Sequence, residues 1–357
     1  MKIFCYFIEP ASYTLDIARN IYDKKRINYC FLKSTTLAVS ESKSNKTFLD
    51  KLPFFRKFIF IYSQFQKNNF IIINGYNNYP FVLTFLLNFF FSNKKFIAID
   101  SDTQLSFPEN FLKRFIKWVY LFVIFRSKYV LGFAGGNYSH KDLFRYYGMA
   151  EDRIFLIPML VDNSKFYQDE KLFPTIFTFL YVGRLVKHKN VENLIQKFNQ
   201  NFQCKNAVLK IIGSGKEECY LRNKYSSEKV LFLGKLFNDD LVYEFKNASC
   251  FVCPSNFEPW GLVVNEALSS GLPVITTSVV GANNDLVKDK NTGLIALNMN
   301  EFGERMLELY NDSDLLMRFS KNASNLMTNS WNYKLYEKGL NESINKVEKE
   351  LGCLAKN

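Results

Sequence analysis

Two glutamates, Glu258 and Glu266, stand eight positions apart in the stretch "SNFEPWGLVVNEALSSGLPVI". Glu258 lies in a proline-containing loop, and Glu266 lies in an apolar run that predicts a helix. A buried carboxylate is costly unless it is paired or hydrogen-bonded, so the arrangement needs a reason. Both carboxylates could accept hydrogen bonds from a hydroxyl-rich ligand. The alternative makes Glu266 a solvated helix residue and Glu258 a partner of the helix dipole.

The residues between the two glutamates predict the start of a helix. Gly261 permits close approach of another group to the backbone, and Leu262 and Val263 would open the helix. The first N–H groups of a helix have no partner within it, and the helix dipole adds a partial positive charge there. The stretch therefore suits an anionic ligand such as a diphosphate.

Two cations, Arg184 and Lys189, follow an apolar strand-like run in "LYVGRLVKHKN". Gly183 lets the chain turn after that strand. At the start of a helix the dipole disfavours cations, so the two side chains need an anionic partner or else remain surface charges. Further on, "IIGSGKEE" places Gly213 and Gly215 between a strand and a helix. That pattern alone is also typical of an ordinary tight turn.

The elements that must position these residues alternate regularly between strands and helices. Near-continuous apolar strands in such an order indicate parallel sheets covered on both faces. Predicted helices in the first half cover residues 13–23, 80–91, 109–125 and 139–147. The predicted strands are 2–7, 27–32, 70–73, 96–99, 129–133 and 154–157, then 178–182, 207–212, 230–233, 250–253, 273–276 and 293–296.

The strands form two series, separated by the polar stretch "VDNSKFYQDEKLFPT". We therefore predict two Rossmann-like α/β domains, residues 1–165 and 166–330, followed by a C-terminal helix within 331–357. Open parallel sheets bind ligands at the carboxyl ends of their strands. Two such sheets facing each other would form a cleft.

Charge is distributed unevenly over the 357 residues. Residues 1–160 contain 22 Lys and Arg against 11 Asp and Glu, whereas residues 161–357 contain 24 against 23. A basic, aromatic-rich first half suggests an anionic partner, either a lipid surface or a nucleic acid. The seven cysteines are scattered apart from Cys250 and Cys253, which lie in an apolar strand-like segment and predict buried side chains. We expect no zinc site, no signal peptide and no membrane-spanning segment.

The motifs of the second half, taken in order, resemble the nucleotide-sugar-binding domain of glycosyltransferase family 4, whose members have the GT-B fold. The resemblance covers residues 178–295 and rests on "LYVGRLVKHKNVENLIQKF", "LKIIGSGKEECYL", "VLFLGKL" and "VCPSNFEPWGLVVNEALSSGLPVI". "AGGNYSHKDLFRYYGMAEDRIFLIPMLVDNSKF" is similar to the segment that closes the first domain of that family. The C-terminal helix resembles the final helix of the family, which crosses back to the first domain. The remainder of residues 1–150 shares only the alternation of strands and helices.

The resemblance implies a role for each of these residues. Glu258 would contact hydroxyls of the donor sugar, and Glu266 would bind the nucleotide ribose. Arg184 and Lys189 would bind the diphosphate and stabilise its negative charge as it leaves, in place of a metal ion. The implied donor-binding set is completed by Gly183, Gly213, Gly215, Pro259, Trp260, Gly261, Leu262 and Val263. The family usually has glycine after this lysine; here it is Asn190, which tolerates a left-handed backbone.

The first domain departs from the family where many members carry a glycine-rich loop. The corresponding "IEPASYT" contains no glycine, and neither His140 nor His188 occupies the position of a histidine found in some members. "IAIDSDT" lies there instead, so we expect Asp102 or Asp100 to orient the acceptor hydroxyl. The alternative is a helix or turn cap. We expect no bound metal.

The segment "FLKRFIKWVYLFVIFRSKY" combines basic residues with aromatics on one helical face. Core packing often produces such a stripe, but the basic flanks favour an interfacial surface. The family often uses lipid-linked acceptors. We therefore predict a cytoplasmic protein that associates with the inner face of the plasma membrane.

These inferences predict a retaining, metal-independent glycosyltransferase that uses a nucleoside-diphosphate sugar as co-substrate and no other cofactor. The acceptor would be a glycan or lipid-linked glycan in bacterial surface polysaccharide or lipopolysaccharide assembly. The alternatives are a catalytically degenerate nucleotide-sugar-binding protein and a sugar-nucleotide epimerase of the same fold. A nucleic-acid-binding module would account for the basic half, but it would leave the motifs of the second half unexplained.

Overall fold

The computed structural model describes residues 1–34 and 47–354 and contains two α/β units. One unit comprises Met1–Met159 together with Tyr333–Asn357, and the other comprises Leu160–Asn332. The expected boundary after residue 165 therefore falls inside the second unit, within a short helix. Among the described residues, no helix is both long and apolar enough to cross a membrane.

Each unit is built on a six-stranded parallel sheet, as the alternating pattern predicted. The strands of the first unit are β1 (Ile3–Phe7), β2 (Asn28–Phe31), β3 (Phe70–Asn74), β4 (Phe96–Ser101), β5 (Val130–Ala134) and β6 (Ile154–Leu156). Those of the second unit are β7 (Phe177–Val182), β8 (Ala207–Ile212), β9 (Val230–Gly234), β10 (Cys250–Cys253), β11 (Val274–Thr277) and β12 (Gly293–Ala296). The first sheet has the order β2-β1-β3-β4-β5-β6 and the second has the order β12-β11-β10-β7-β8-β9.

Helices connect the strands in both units. The helices of the first unit are α1 (Ser12–Ile17), α2 (Phe54–Lys67), α3 (Tyr79–Phe90), α4 (Phe111–Phe125), α5 (Ser139–Tyr146) and α13 (Tyr333–Leu354). Those of the second are α6 (Asn163–Phe166), α7 (Val191–Phe202), α8 (Glu218–Tyr225), α9 (Asn238–Lys246), α10 (Leu262–Ser269), α11 (Met299–Asn311) and α12 (Ser313–Asn329). Helix α2 was not predicted, and the single helix expected over residues 13–23 is α1 continued by a π-helical turn, Ala18–Asp23.

The first sheet has a core on each face. On one face, α2 to α5 bury side chains such as Phe65, Phe81 and Phe144 against Ile71 and Ile97 of the sheet. On the other face, α13 packs on β6 and on the π-helical turn, where the hydroxyls of Tyr22 and Tyr336 lie 3.1 Å apart. Leu340 and Val347, which lie seven positions apart on one face of this last helix, are both fully buried.

The second sheet buries an equally apolar core. Its strands pack against α7 and α11 through aromatic residues, among them Phe179, Phe198 and Phe202. Cys250 and Cys253 are buried, unpaired thiols in β10, as the apolar context predicted. Burial raises the pKa of the Cys253 thiol to about 11, so it stays protonated at neutral pH.

Candidate functional site

The strand order of the second unit determines where a ligand can bind. The chain runs from β7 outward to β8 and β9, then returns to β10 on the opposite side of β7. In an open parallel sheet, a crevice forms at such a reversal, outside the carboxyl ends of the two central strands. The segment with Arg184 and Lys189 follows β7, and the segment with both glutamates follows β10. The topology therefore brings the predicted residues to one edge.

The loop after β7 is tied directly to the loop after β10. The backbone N–H of Asn256 donates to the His188 carbonyl at 2.7 Å, and the Asn190 side-chain amide donates to the Pro254 carbonyl at 3.1 Å. Asn190 has φ +59° in the left-handed region and is buried. The prediction that asparagine here accepts a left-handed backbone is confirmed, and its side chain adds a bond that glycine could not make.

Lys189 and Glu258 form an ion pair between these two loops. Their side chains are only 14% and 11% exposed, so the pair is largely shielded from water. The Glu258 backbone is fixed as well, because its carbonyl accepts from the N–H of Gly281 at 3.0 Å. The cationic partner explains how the Glu258 carboxylate can be shielded from water without a prohibitive cost in free energy.

The start of α10 lies beside this ion pair. Gly261 has φ +95°, and a Cβ added there would lie 3.1 Å from Cγ of Glu258. Glycine is therefore favoured at this position both by its backbone conformation and by the approach of Glu258. No side chain in the described chain caps the helix at Gly261, and Leu262 and Val263 are only partly buried. The first amides of α10 remain available to an anion.

Glu266 occupies a different environment from Glu258. Its side chain is half-buried, and desolvation raises the pKa of its carboxyl to about 7. Within the part of the chain that the structure describes, no group donates a hydrogen bond to this carboxylate. A ligand hydroxyl could supply that missing donor, which agrees with the ribose-binding role that the resemblance implied.

Trp260 is buried, unlike the surface position that a ligand-contacting side chain needs. Its ring stacks on Trp331 with centroids 5.5 Å apart, and its indole N–H donates to the Asn265 side chain at 2.8 Å. Trp260 therefore anchors the segment between Glu258 and Gly261. Because its side chain is buried, it could contact a donor only through its main chain. Pro259 beside it is half-buried. Trp331 gave no sequence signal, because it lies 71 positions away.

Arg184 is exposed, and no described side chain accepts from its guanidinium. Its carbonyl accepts from the Tyr181 hydroxyl at 3.0 Å. Burial raises the pKa of that hydroxyl, the charges of Cys253 and Glu258 raise it further, and the Arg184 charge lowers it. The Arg184 backbone is thus fixed by the Tyr181 hydroxyl, and the guanidinium, which no described side chain accepts from, suits an anionic ligand.

The glycines of "IIGSGKEE" allow two loops to touch. Gly213 has φ +140°, and a Cβ added there would lie 1.8 Å from the Gly183 carbonyl oxygen. A Cβ on Gly215 would lie 2.3 Å from the Leu185 carbonyl oxygen. The glycines therefore hold the loop after β8 against the loop that carries Arg184. This packing is observed, whereas contact with a nucleotide stays a prediction.

The first unit contains a cavity of about 240 Å³ at the carboxyl edge of its own sheet. It lies where the strand order reverses between β1 and β3, and Asp100 and Asp102 line it. Asn74 donates to Asp100 at 2.5 Å. Burial, followed by the Asp102 charge, raises the pKa of Asp100 to about 7 despite that bond. Asp102 is exposed.

Other residues of this cavity were missed from the sequence. Glu9 comes from the loop after β1, Tyr13 lies in the first turn of α1, and Asn74 ends β3. The position of Asn74 at the end of a predicted strand was the available signal. Among the described residues, no group of three or more histidine, cysteine, aspartate or glutamate side chains is placed to hold a metal ion.

Two six-stranded parallel sheets with these connections define the GT-B class of glycosyltransferase folds. HepE from Anabaena, solved in complex with UDP, shares the fold with a TM-score of 0.73 and 17% identity, over 97% of this chain and 100% of that chain. Residues 162–326 match the family described as glycosyl transferases group 1. These findings agree with the expected resemblance, at the level of sequence over residues 162–326 and at the level of the fold over nearly the whole chain.

Curated relatives agree over shorter regions. The capsular polysaccharide biosynthesis glycosyltransferase CapM of Staphylococcus aureus is 31% identical over 204 residues, which are 53% of this chain and 52% of CapM. An Escherichia coli UDP-Gal:alpha-D-GlcNAc-diphosphoundecaprenol alpha-1,3-galactosyltransferase is 32% identical over 165 residues, 44% of this chain and 42% of that enzyme. The matched part thus spans about half the length of these relatives.

Proposed function

We propose that the protein transfers a sugar from a nucleoside-diphosphate sugar to an acceptor hydroxyl, with retention of anomeric configuration and without a metal ion. The observation that carries this proposal is the Lys189–Glu258 ion pair beside the uncapped start of α10. Cation, carboxylate and helix amides meet at one edge of a glycosyl transferases group 1 domain. That combination suits a ligand with a diphosphate at one end and sugar hydroxyls at the other.

The residues divide the chemistry between the two parts of the donor. Lys189, Arg184 and the first amides of α10 would hold the diphosphate and stabilise the charge that develops as it leaves. Glu258 would keep one carboxylate oxygen for Lys189 and turn the other to the sugar hydroxyls. Glu266 would accept from the ribose. Positions fixed before the ligand arrives reduce the reorganisation needed during transfer.

We place the acceptor-binding site in the cavity of the first unit. Asp100, with its pKa near 7, and the exposed Asp102 would orient the acceptor hydroxyl, and Tyr13 offers an aromatic wall. We infer a lipid-linked glycan as acceptor and a role in bacterial surface polysaccharide or lipopolysaccharide assembly at the inner face of the plasma membrane. The support is the basic first half of the chain, together with the capsular polysaccharide biosynthesis and the diphosphoundecaprenol substrate named for the two relatives.

The donor assignment is tested by ligand-induced stabilisation. A panel of nucleoside diphosphates and their sugars should raise the melting temperature of the parent protein, because a ligand that binds only the native state stabilises it. Lys189→Ala should weaken this binding by about tenfold to a hundredfold, the scale of a hydrogen bond to a charged group. Lys187→Ala, an exposed cation two residues away, is the control.

Turnover separates catalysis from binding. Glu258→Gln should lower sugar transfer more than nucleoside binding, and the anomeric configuration of the product is read by NMR. Asp100→Asn and Asp102→Asn should lower transfer to a lipid-linked acceptor while leaving donor stabilisation unchanged. Normal rates for both aspartate variants at saturating acceptor would remove the acceptor assignment. Donor binding without transfer to any acceptor would instead indicate a degenerate binding protein.

A further inference from the structure

Three helices of the first unit leave a large apolar surface in contact with solvent. Among the described residues, 17 of the 33 exposed large hydrophobic side chains lie on α2, α3 and α4, although these helices hold only 41 residues. Phe55, Phe89, Phe90 and Phe111 are each at least 76% exposed. We name this surface the aromatic face. Its members are Phe54, Phe55, Phe58, Ile59, Tyr62, Tyr79, Val82, Leu86, Phe89, Phe90, Phe111, Leu112, Phe115, Ile116, Trp118, Val119 and Val123.

The side chains of the aromatic face do not pack in the core of the unit, because each helix contributes other residues to that core. Helix α2 buries Ile61 and Phe65, and α4 buries Leu121, Ile124 and Phe125. The helices are therefore apolar on the side that faces the sheet and also on the side that faces away from it. So many exposed apolar side chains on neighbouring connecting helices indicate an interaction site.

The three helices lie on one face of the sheet, since they share a single core cluster with α5. The ends of α2 and α3 meet through the rings of Tyr62 and Phe91, 5.8 Å apart. In a parallel sheet each connecting helix begins near the carboxyl end of the preceding strand. Phe54, Phe55, Phe111 and Leu112 are in the first turns of α2 and α4. They therefore lie toward the same edge as the cavity with Asp100.

The charged residues of the helices that form the aromatic face have one sign. Residues 51–99 contain six Lys and Arg and no Asp or Glu, and residues 110–141 contain another six and again no acid. Some cations lie against the rings: the Arg114 guanidinium is 4.8 Å from the Phe107 ring, and Arg126 is 4.8 Å from Phe122. Such side chains cover apolar surface with their stems and leave the charge at its rim.

Exposed apolar side chains combined with positive charge favour one kind of partner for the aromatic face. Two copies of the aromatic face would bring many like charges together, which disfavours a second copy of the chain. Apolar side chains that enter the acyl boundary and a rim of cations that meets acidic headgroups match an anionic bilayer surface on both counts. Trp118, Tyr62 and Tyr79 also belong to the residue types that concentrate at the boundary between headgroups and hydrocarbon.

We propose that the aromatic face, formed jointly by α2, α3 and α4, docks the protein on an anionic lipid bilayer and turns the cavity edge of the first sheet toward the headgroups. The inference rests on the proposed function in one respect, because a lipid-linked acceptor gives this orientation its purpose. It extends the surface well beyond the α4 segment and assigns the anchoring contact to side chains from three connecting helices.

The full-length protein contains a reporter for this contact. Of its three tryptophans, Trp260 and Trp331 are buried, whereas Trp118 belongs to the aromatic face. Vesicles of phosphatidylcholine mixed with phosphatidylglycerol should bind the protein in a flotation assay and shift its tryptophan emission to shorter wavelength. Vesicles of phosphatidylcholine alone should bind it more weakly. Trp118→Phe should still float with the mixed vesicles but lose the emission shift.

Two sets of variants separate the apolar and ionic contributions. Phe55→Ser with Phe111→Ser should weaken partitioning more than about tenfold for each ring, because each loses the burial of a phenylalanine. Arg56→Gln with Lys113→Gln should weaken binding to the mixed vesicles by about fivefold for each charge, and high salt should reproduce the loss. Phe237→Ser with Leu297→Ser removes exposed apolar side chains of the second unit and should change nothing.

Three results would contradict the proposal that the aromatic face docks on a bilayer. The first two are failure of the parent protein to float with anionic vesicles at low salt, and flotation with unchanged Trp118 emission. The third is a shift of the tryptophan emission to shorter wavelength that occurs without vesicles and grows with protein concentration. It would mean that a second copy of the chain covers the aromatic face. Nucleotide-induced stabilisation is measured on the same samples. Its persistence would show that the docking inference failed alone, and its absence in the parent would contradict the donor assignment.

Discussion

Glu258 and Glu266 show how one residue type acquires two chemistries from its surroundings. Glu258 lies against Lys189 and is held as a charged partner of that cation. Glu266 is desolvated without a described donor, and this raises the pKa of its carboxyl to about 7. Spacing predicted both residues as ligand-binding candidates. The contact between Lys189 and Glu258 joins residues 69 positions apart, so the motif alone could not predict it.

The raised pKa makes donor binding dependent on pH. If the ribose donates to ionised Glu266, affinity for a nucleoside-diphosphate sugar should rise about tenfold between pH 6 and pH 8, since the carboxyl ionises around 7. Calorimetric titration measures this directly, and the phosphates of the sugar nucleotide do not titrate in that range. Glu266→Gln should abolish the pH dependence, whereas Glu228→Gln, an exposed glutamate, should preserve it.

Stability provides an independent check on Glu266. Its folded-state pKa lies above the unfolded value, so the folded protein binds more protons than the unfolded chain between about pH 4 and pH 7. The free energy of unfolding contributed by this group therefore falls as pH rises through that window. Glu266→Gln should flatten the fall. An unchanged stability profile together with unchanged pH dependence of binding would contradict the assigned pKa.

Among the elements of the first unit, the strands were predictable and helix α2 was not. All twelve strands lie within a few residues of their predicted bounds, because buried parallel strands are continuous apolar runs that polar turns interrupt. Helix α2 was missed although the apolar residues of "FFRKFIFIYSQFQK" recur with the helical period. Ile61 and Phe65 face the core, while Phe55 and Ile59 face solvent. These two exposed side chains belong to the aromatic face.

The loop after β8 shows how closely elements must approach to form the donor site. Gly213→Ala would place a methyl group 1.8 Å from the Gly183 carbonyl oxygen, at a backbone φ of +140°. We expect a loss of about 3 kcal/mol or more in the free energy of unfolding. Alanine is strained at this φ, and the Gly183 backbone would also have to shift to make room for the methyl group. Nucleotide-induced stabilisation should fall with it, since Arg184 follows Gly183. Denaturant unfolding with and without nucleotide measures both.

Gly234→Ala is the matched control in the neighbouring strand. Gly234 also has a left-handed φ, +71°, but a Cβ there would meet nothing within 4 Å. The conformational cost alone is about 1 kcal/mol, and nucleotide binding should stay normal. Equal losses for the two alanines would mean that backbone conformation accounts for both, and the close packing of the two loops would then be irrelevant to stability.

The whole chain is organised so that its first unit is discontinuous. Residues 1–159 need α13, from the end of the chain, to cover β6 and the π-helical turn, whereas the second unit is a single uninterrupted segment. The amphipathic pattern of the last helix predicted buried residues, but only three-dimensional packing could show how closely its glycine approaches β6. A Cβ on Gly339 would lie 2.0 Å from the Leu156 carbonyl oxygen.

This close approach reverses the usual effect of alanine in a helix. Gly→Ala in a helix interior normally stabilises by about 1 kcal/mol. At Gly339 we expect the opposite, a loss of about 2 kcal/mol or more, because the methyl group would push α13 away from β6. Gly352→Ala in the same helix meets nothing within 4 Å and should be neutral or stabilising. Unfolding followed with saturating nucleotide assigns the loss to the first unit if the ligand-dependent stabilisation is preserved. Stabilisation by both alanines would show that α13 does not pack on β6, and residues 1–159 would then have to form the first unit without it.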